Sequence, residues 1–538
     1  MKIKNKIIEI IIFLNISLIL LVDLLHLIIK DDYLGKIGGG LWIFSYILVF
    51  GYSFYSLFKI IKISFKIKSF VSLLSLFFII FIVLLNTVNP KNISNETTQE
   101  TACGINHILI LPDMGFWKTC LFGYPARQYY LSSLPSIIIG RSLFSLNFGG
   151  SLYFLVGLPI FTYGIWQLTS HKKIYDYIIG TLLVSFFHIY SFNFFMFNYE
   201  QSIFPFSLTL IIAGLFMSYF NKKNKVTILL IWLVSEYLIY SYSPSIAVYG
   251  LCILILIYFL ITVKSKFLYF IIVTSSLCSL YLSLKNRYDL VILDTATRVY
   301  SILLKDLSDA LTHLIIQNKG IPLTSSIFYF IFIFFLFGSL FYVFGWQNFI
   351  VAFWMVGVFV FSVLSKGYSY YGIDYRLNRI LIIFPVLFIL ILEIIKKFIN
   401  ENIKLEVKNH FLIPFLFLFI FITGYVYHSN YLQQKEISRY YQLVRWLSKQ
   451  SFVAKKSILL VETVEYGSLN DSLLYFLPNT EGHALFDDCV NYKETKKDLY
   501  LLTTNVKEND CNKYFSKMNF INQFQFEKNT LSLYKVDN

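Results

Sequence analysis

Residues 7–29 read IIEIIIFLNISLILLVDLLHLII, and only Glu9, Asp23 and His26 in this run can carry a charge. A helix that spans a bilayer needs about 20 mostly apolar residues, so the run predicts a transmembrane helix. It is long for a signal peptide, and no small-residue cleavage site follows it. Similar runs predict about thirteen membrane spans: 7–29, 41–58, 69–88, 149–168, 174–192, 203–219, 226–241, 245–263, 267–284, 326–344, 347–365, 378–397 and 410–428.

The composition agrees with a membrane protein. Of 538 residues, 57% are hydrophobic and 14% are charged, whereas soluble domains carry about 25% charged residues. This balance excludes a disordered chain, and six cysteines are too few for a disulfide-rich secreted domain. We therefore predict a polytopic α-helical membrane protein.

The net charge of +15 comes mostly from lysines in short clusters between the apolar runs. In a soluble protein it would suggest nucleic acid, but here it fits the excess of Lys and Arg in cytoplasmic loops, and we predict no nucleic-acid partner. The clusters fall in alternate loops, which predicts a cytoplasmic N-terminus and an outer-face tail in a bacterial cytoplasmic membrane. They are Lys2/Lys4/Lys6, Lys59/Lys62/Lys66/Lys68, Lys172/Lys173, Lys222/Lys223/Lys225, Lys264/Lys266 and Lys396/Lys397/Lys404/Lys408.

The tail differs in composition from the rest, because residues 430–538 hold most of the charge that is typical of soluble domains. Ser457–Glu462, Asp498–Thr503 and Thr530–Val536 are rich in apolar and β-branched residues and predict strands, and Ile437–Gln450 predicts a helix. We predict a membrane domain at 1–429 and a small extracytoplasmic α/β domain at 430–538.

The predicted topology places two pairs of cysteines on the outer face of the membrane. Cys103 and Cys120 share a long outer loop, and Cys489 and Cys511 share the tail. On an oxidising face each pair could form a disulfide, with unpaired thiols as the alternative, since spacing alone does not show geometry.

The long outer loop near 89–127 holds the first candidate for chemistry. Residues 111–130 read LPDMGFWKTCLFGYPARQYY, in which Asp113 lies close to Trp117. A carboxylate can take a hydroxyl proton while aromatic ring faces pack against a sugar. We predict Asp113 as a catalytic residue and Trp117, Tyr124 and Arg127 as substrate contacts; a turn or cap role is the alternative for Asp113.

Two later outer segments carry further candidates. Glu200 is the lone acid of an apolar loop; it could act in catalysis, hold a divalent metal, or only complement a helix dipole. Arg376 and Arg379 share a helix face, and their guanidinium groups suit phosphate oxygens, with anchoring at the membrane interface as the alternative. Apart from such a metal we predict no cofactor.

Other acids are rivals or lie within membrane runs. Asp31 and Asp32, after the first run, are the alternative catalytic acid, although a loop cap is the simpler interpretation. Asp23 lies one helical turn from His26 and could form a proton relay or an internal pair. Glu236 could face the site or pair internally.

Three stretches then resemble the GT-C glycosyltransferases, nearest to the family 39-like bacterial membrane enzymes and the protein O-mannosyltransferases. In the first, Asp113 is followed by Tyr124-Pro125, Leu134-Pro135-Ser136 and GRSLFSL at 140–146, similar to an acidic first outer loop and a Gly-x-Ser-x-Phe-x-Leu run. The second is Glu200, and the third is Arg376 to Arg379 before a Pro-containing helix. The chain departs from the family in having Met114 beside its acid and two extra helices before the loop.

The resemblance implies inverting transfer of a sugar from a polyprenyl-phosphate donor to a glycan, lipid or protein acceptor on the outer face. It implies that Asp113 is the general base, that Arg376 and Arg379 offset charge on the leaving lipid phosphate, and that Glu200 positions the acceptor or a metal.

Two other functions compete with this one. A transporter or flippase for lipid-linked oligosaccharide should show internal repeats, and we find none. A polysaccharide polymerase or ligase would place its large outer loop later, as at 285–325. The absence of Walker A and dinucleotide-binding patterns argues against an ATP-driven pump and a nucleotide-sugar enzyme.

Overall fold

The structure is a computed structural model that describes the first half of the chain in several stretches and the tail in shorter ones. The described residues are 2–29, 31–67, 101–105, 130–168, 203–222, 224–239, 266–287, 439–450, 457–461, 479–484, 498–503, 517–526 and 529–537, with 76, 77, 80, 81, 84, 252, 253, 256, 257, 473 and 475–477.

The described part of the first half is helical. Its helices are α1 (Lys2–Ile29), α2 (Asp32–Ile67), α3 (Tyr130–Ile139), α4 (Leu143–Leu168), α5 (Ile203–Lys222), α6 (Lys225–Ile239) and α7 (Lys266–Arg287). Residues 101–105 add a short helical segment. Among the described residues, Lys6–His26, Tyr33–Ile63 and Leu143–Gly164 are long and apolar enough to cross a membrane.

The exposed surface of α1 shows which solvent this bundle faces. Ile7, Leu14 and Leu21 lie at helical spacing and are each about half exposed, whereas Asn15 and Asp23 are buried. A water-soluble helix has the opposite pattern, with polar residues outside. The outward face of α1 is therefore a lipid-facing surface.

Contacts between helices fix their directions. Asn15 Nδ2 donates to Ser45 Oγ at 2.7 Å, midway along α1 and α2, so these helices form an antiparallel hairpin. Tyr153 donates to the Tyr46 hydroxyl at 3.0 Å, and Ser53 donates to the carbonyl of Val156 at 2.7 Å, so α2 and α4 run parallel.

Close contacts of Gly164 with Gly214 and of Gly157 with Ile211 make α4 and α5 parallel as well. Helices α2, α4 and α5 therefore all begin at the same end of the bundle. This agrees with the predicted spans at 69–88 and 174–192, most residues of which lie outside the described ones. With these directions, Lys6, Lys59, Lys62, Lys222 and Lys225 all lie at one end of the bundle, and the starts of α2 and α4 lie at the other.

Glycines and hydroxyls set how closely the bundle packs. A Cβ on Gly164 would collide with the backbone of Gly214, and one on Gly214 would lie 2.6 Å from the Cα of Phe161. Such close backbone approach at small residues is typical of membrane helices. Pro159 removes the N–H that the carbonyl of Leu155 would accept inside α4, and Ser53 of α2 donates to the neighbouring carbonyl of Val156.

The described tail forms helix α8 (Arg439–Leu447) and strands β1 (Ser457–Val461), β2 (Thr480–Ala484), β3 (Asp498–Thr503), β4 (Lys517–Phe526) and β5 (Asn529–Asp537). They make a five-stranded sheet in the order β2-β1-β3-β5-β4. Strand β1 pairs in parallel with β2 and β3, and β5 pairs antiparallel with β3 and β4.

The central strands of this sheet are buried on both faces. Leu459 and Val461 pack with Leu443 and Leu447 of α8 on one face, and alternate residues such as Leu460 and Leu501 form a second apolar cluster on the other. This is why β1 is a continuous apolar run rather than an alternating one.

Several predicted elements are confirmed and others are corrected. The strands near 457, 498 and 530 are present, and the predicted helices at 7–29, 203–219, 226–241 and 267–284 agree within a few residues. Of the two predicted loop residues, Asp31 is non-helical as expected, whereas Asp32 already begins α2. Helix α2 also continues through Gly38–Gly40, where the prediction began at 41.

Helix α4 begins at Leu143 rather than at 149, and α3 was not predicted at all. The predicted spans at 69–88 and 245–263 are described at only a few residues, all helical, and the later spans, the boundary at 430 and the pair Cys489 and Cys511 lie outside the described residues.

Candidate functional site

Most of the predicted site residues lie outside the described part of the chain. The site residues that are not described are Asp113, Trp117, Tyr124, Arg127, Glu200, Arg376 and Arg379. The structure instead describes the residues on either side of the 106–129 segment, which carries Asp113, and the alternative acid Asp31.

Asp31 acts as the N-cap of α2. Its Oδ1 accepts the N–H of Tyr33 at 2.9 Å, and its carbonyl oxygen lies 3.3 Å from His26 Nδ1. This is the arrangement in which an aspartate satisfies one of the unpaired N–H groups of a first turn. The contact agrees with the cap interpretation of Asp31.

The turn between α3 and α4 is built by its own sequence. Gly140 has φ of 99°, a left-handed conformation that suits glycine and ends α3. Ser142 Oγ accepts the N–H of Ser145 at 3.1 Å, and Ser145 Oγ accepts the N–H of Ser142 at 2.9 Å. This reciprocal capping box starts α4, with serine in place of the usual Glu or Gln.

Tyr475 of the tail inserts its side chain at this turn. Its hydroxyl donates to the carbonyl of Ser142 at 3.1 Å, and it lies 2.7 Å from Ser136 Oγ and 3.1 Å from Ser145 Oγ. Arg141 Nη1 donates to the Tyr475 carbonyl at 3.2 Å. We call these five residues the Tyr475 joint, since they connect the tail to α3 and α4.

The electrostatics of the Tyr475 joint favour a structural phenol. Tyr475 is fully buried, and burial raises the pKa of its phenol more than its hydrogen bonds and Arg141 lower it. The phenol therefore stays protonated at neutral pH and is poorly suited to be a general base. Burial lowers the pKa of the half-buried Arg141, but a guanidinium remains charged in proteins.

The joint also reaches the residues that precede the 106–129 segment. Ala102 and Ile105 pack with Leu146 and Tyr475 in one buried cluster, and Ser133 Oγ donates to the carbonyl of Thr101 at 3.2 Å. The 106–129 segment thus leaves from residue 105 and returns at Tyr130, and both flanking pieces are fixed against each other.

Cys103, in the first of these flanking pieces, is disulfide-bonded. Cys252 and Cys278 carry thiols, so the partner of Cys103 lies outside the described residues. The predicted pairing with Cys120 stays a prediction.

Two acids are buried in the bundle. Asp23 and Glu236 are each only 2% exposed, and Ser276 Oγ of α7 donates to Glu236 Oε1 at 3.4 Å. His26 lies about one helical turn after Asp23, and its Nδ1 contacts the carbonyl oxygen of Asp31. Among the described residues no group of three or more His, Cys, Asp or Glu could hold a metal ion.

Sequence reasoning missed the Tyr475 joint. The serines at 142 and 145 carried a readable signal, since Ser-x-x-Ser before an apolar run suggests a cap. Tyr475 carried none, because it lies more than 300 residues from its partners and 40 tyrosines occur in the chain.

The chain shares its fold with a solved structure, and its described apolar helices are those of a protein embedded in the membrane. It is similar to ArnT from Cupriavidus metallidurans in the apo state, with a TM-score of 0.51 and 8% identity over 86% of this chain and 97% of that one. A structure of ArnT bound to undecaprenyl phosphate has a TM-score of 0.49 at the same identity and coverage. The sequence matches no family model and no curated protein.

Proposed function

We propose that this protein is a membrane glycosyltransferase that moves a sugar from a polyprenyl-phosphate donor to a glycan, lipid or protein acceptor. The observation that carries the proposal is the shared fold with ArnT, a GT-C glycosyltransferase, over 86% of the chain. The resemblance in the Asp113, Glu200 and Arg376 stretches adds to it. A nearer kinship with family 39 belongs to the same proposal.

In the proposed reaction an acceptor hydroxyl attacks the anomeric carbon of the sugar while the bond from that carbon to the phosphate oxygen breaks. Asp113 takes the hydroxyl proton, and the lipid phosphate leaves as an anion. Arg376 and Arg379 offset its negative charge, and Glu200 positions the acceptor or a divalent metal. Trp117, Tyr124 and Arg127 contact the sugar.

The side of the membrane follows from the lysines. The helix directions place Lys6, Lys59, Lys62, Lys222 and Lys225 at the end of the bundle opposite the Tyr475 joint. Lysine-rich ends face the cytoplasm. This supports an outer-face location for the tail and the 106–129 segment in a bacterial cytoplasmic membrane, with the N-terminus inside.

The test uses purified protein in lipid vesicles with a panel of polyprenyl-phosphate sugars and crude acceptor lipid and glycan. The measurement is the release of free polyprenyl phosphate. We compare wild type with Asp113→Asn and with the double variant Asp31→Asn/Asp32→Asn. Asn caps helices about as well as Asp, so the double variant keeps the cap and tests only the carboxylate. Asp498→Asn, in β3 of the sheet, is the control for the chemical change.

We expect donor consumption by wild type and by Asp498→Asn, with a loss of 10²–10⁴-fold, a typical order of magnitude for a lost general base, in Asp113→Asn. Loss only in the double variant would keep the reaction and move the base to the start of α2. If folded wild type consumes no donor of the panel, the proposed function is wrong.

A further inference from the structure

Helix α2 is longer than the membrane that it crosses. Its 36 residues span about 54 Å at 1.5 Å per residue, whereas the hydrocarbon core of a bilayer is about 30 Å thick. Lys59 and Lys62 lie near the end of this helix and follow Tyr55 at spacings of four and three residues. Residues at these spacings lie on one face of a helix. We call Tyr55, Lys59 and Lys62 the Lys59 face.

An aromatic cluster sets the position of the Lys59 side chain. The Lys59 ammonium lies 5.2 Å from the centre of the Tyr55 ring. That ring packs edge-on against Tyr163 of α4 with centroids 6.3 Å apart, and it lies 5.8 Å from the ring of Tyr52. A hydrogen bond between the side chains of Tyr52 and Thr227 extends this support to α6. Three helices therefore hold the ring beneath the charge, and less side-chain entropy is lost when the charge binds a ligand.

The described residues do not neutralise the charge of the Lys59 face. In the described part of the chain neither Lys59 nor Lys62 forms an ion pair with a carboxylate. Among the described acids Glu9 of α1 lies nearest to this end of the bundle. Lys59 lies 14 residues beyond Ser45, whereas Glu9 lies only 6 residues before Asn15, the hydrogen-bonding partner of that serine. Because α1 and α2 are antiparallel, this carboxylate lies about 12 Å deeper in the bundle than the lysine.

The surface beside the Lys59 face is apolar. Phe54 and Phe58 are 69% and 62% exposed, and Lys62 is exposed as well. A free phosphate ion would contact the lysines and leave the two phenylalanines exposed to water. A purely apolar ligand would cover the phenylalanines and leave the charges without a partner. The combination fits a ligand with an anionic head and apolar chains, and basic clusters at the ends of membrane helices bind anionic phospholipids in this way.

We propose that the Lys59 face binds an anionic phospholipid of the leaflet at this end of the bundle. The lipid phosphate lies between the ammonium groups of Lys59 and Lys62, and the acyl chains run along Phe54 and Phe58 towards the middle of the membrane. The proposed reaction takes place at the opposite end of the bundle, so this lipid is not the sugar donor and its binding requires no turnover. Binding here fixes the depth of α2 in the membrane.

The test measures lipid binding to the purified, delipidated protein in a neutral detergent by native mass spectrometry. The probes are dioleoyl phosphatidylglycerol, which is anionic, and dioleoyl phosphatidylcholine, which carries no net charge. A lysine close to an anionic headgroup contributes about fivefold to the affinity. We therefore expect Lys59→Gln and Lys62→Gln each to raise the Kd for phosphatidylglycerol about fivefold, and the double variant to raise it about thirtyfold. The Kd for phosphatidylcholine should not change.

The matched control removes the same charge from other places. Lys36 is an exposed lysine at the opposite end of α2, and Lys449 is an exposed lysine of the tail. The variant Lys36→Gln/Lys449→Gln lowers the net charge by as much as Lys59→Gln/Lys62→Gln does. Because distant exposed charges are screened by salt, we expect its Kd for phosphatidylglycerol to stay within about twofold of wild type. Lys59→Arg/Lys62→Arg keeps both charges and should bind as wild type does.

The Tyr55 ring allows a second test in the same assay. Tyr55→Phe keeps the ring beneath the Lys59 ammonium, whereas Tyr55→Leu removes it. A contact between a cation and a ring at an exposed site contributes about two- to fivefold. We expect Tyr55→Leu to raise the Kd for phosphatidylglycerol by about this factor and Tyr55→Phe to leave it unchanged.

Three results would overturn the proposal. Equal losses in Lys59→Gln/Lys62→Gln and Lys36→Gln/Lys449→Gln would show that net charge alone attracts the lipid. Equal affinity of wild type for phosphatidylglycerol and phosphatidylcholine would show that the headgroup charge is not recognised. Tighter binding of a polyprenyl phosphate than of phosphatidylglycerol, lost in Lys59→Gln/Lys62→Gln, would assign the Lys59 face to a carrier lipid instead of a membrane phospholipid.

Discussion

The adjacent glycines at 149 and 150 provide a test of the packing that places the Tyr475 joint. Gly149 lies where α4 crosses α3, and a Cβ on it would collide with the carbonyl oxygen of Ser132. Gly150 has nothing within 4 Å of the place its Cβ would occupy. Gly149→Ala and Gly150→Ala therefore make the same chemical change one residue apart, with and without a steric conflict.

The size of the effect follows from which atoms meet. An ordinary Cβ contact lies at 3.4–4 Å, and the conflict at Gly149 is with backbone, which cannot rotate aside as a side chain can. Overpacking of this kind costs about 1–3 kcal/mol. The higher helix propensity of alanine favours both variants and cancels in their comparison. We expect Gly149→Ala to be less stable than Gly150→Ala by about 1–3 kcal/mol.

The assay is thermal unfolding of both variants in the same detergent. The measured quantity is the fraction of protein that stays monodisperse after heating. Separation of α3 from α4 should also loosen the bond from Ser133 to Thr101, so Gly149→Ala should raise the alkylation rate of Cys103 after mild reductant. Equal stability and equal alkylation rates in the two variants would refute the described crossing of α3 and α4.

Three smaller predictions follow. Ser53→Ala removes the hydroxyl that donates to the Val156 carbonyl and should lower the free energy of unfolding by about 1 kcal/mol in the same thermal assay. Burial raises the pKa of the Tyr475 phenol above its ordinary value of about 10. The stability that the protonated phenol contributes is therefore present below about pH 10 and is lost as the pH rises through the folded-state pKa. Tyr475→Phe should make the decline of protein stability at alkaline pH shallower, as measured in the same thermal assay. Lys535→Ala breaks a 3.5 Å ion pair with Asp498 that is partly exposed, and the stability should change by less than about 1 kcal/mol.

The sequence predicted the helices well where apolar length alone decides them. The predicted runs 203–219 and 226–241 are separated by a polar stretch, and the structure starts α6 at Lys225, with Asn224 Oδ1 accepting the N–H of Val226. The sequence failed at α3 for a physical reason. This helix has only 10 residues, contains Pro135 and is followed by Gly140, which are the local signals of a loop.

The same reasoning explains the error at the start of α2. The predicted span began at 41, directly after three glycines at 38–40, and glycine lowers helix propensity in water. In the structure α2 passes through them, and a Cβ on Gly39 would lie 3.7 Å from the ring of Tyr130. Tertiary packing and the absence of water as a competing hydrogen-bond partner override a propensity measured in water.

Only part of the site could be predicted from the sequence. The stretch at 140–146 was singled out for its resemblance to a family pattern, and in the structure three of its residues shape the turn, since Gly140 ends α3 while Ser142 and Ser145 begin α4. What no local pattern could supply is the long-range partner. Tyr475 meets these residues because the tail folds back on the bundle.

The bundle and the sheet are held together by different residues because they face different solvents. In lipid, apolar burial between helices gains little, so the helices pack through Gly164 and Gly214 and through hydroxyl bonds such as Tyr153 to Tyr46. In water, burial of leucine is favourable, and the sheet is built around residues such as Leu459 and Leu533.

The Tyr475 joint lies between these regimes, at the end of the bundle where α4 begins. The free energy of an apolar contact there would be favourable relative to exposure to water and nearly neutral relative to exposure to lipid. Because such a contact is not directional, it would let the tail slide along the surface of the bundle. Hydrogen bonds from one buried phenol to Ser136, Ser142 and Ser145 are lost together if the tail moves. Directional bonds thus fix the register of the tail where the hydrophobic effect cannot.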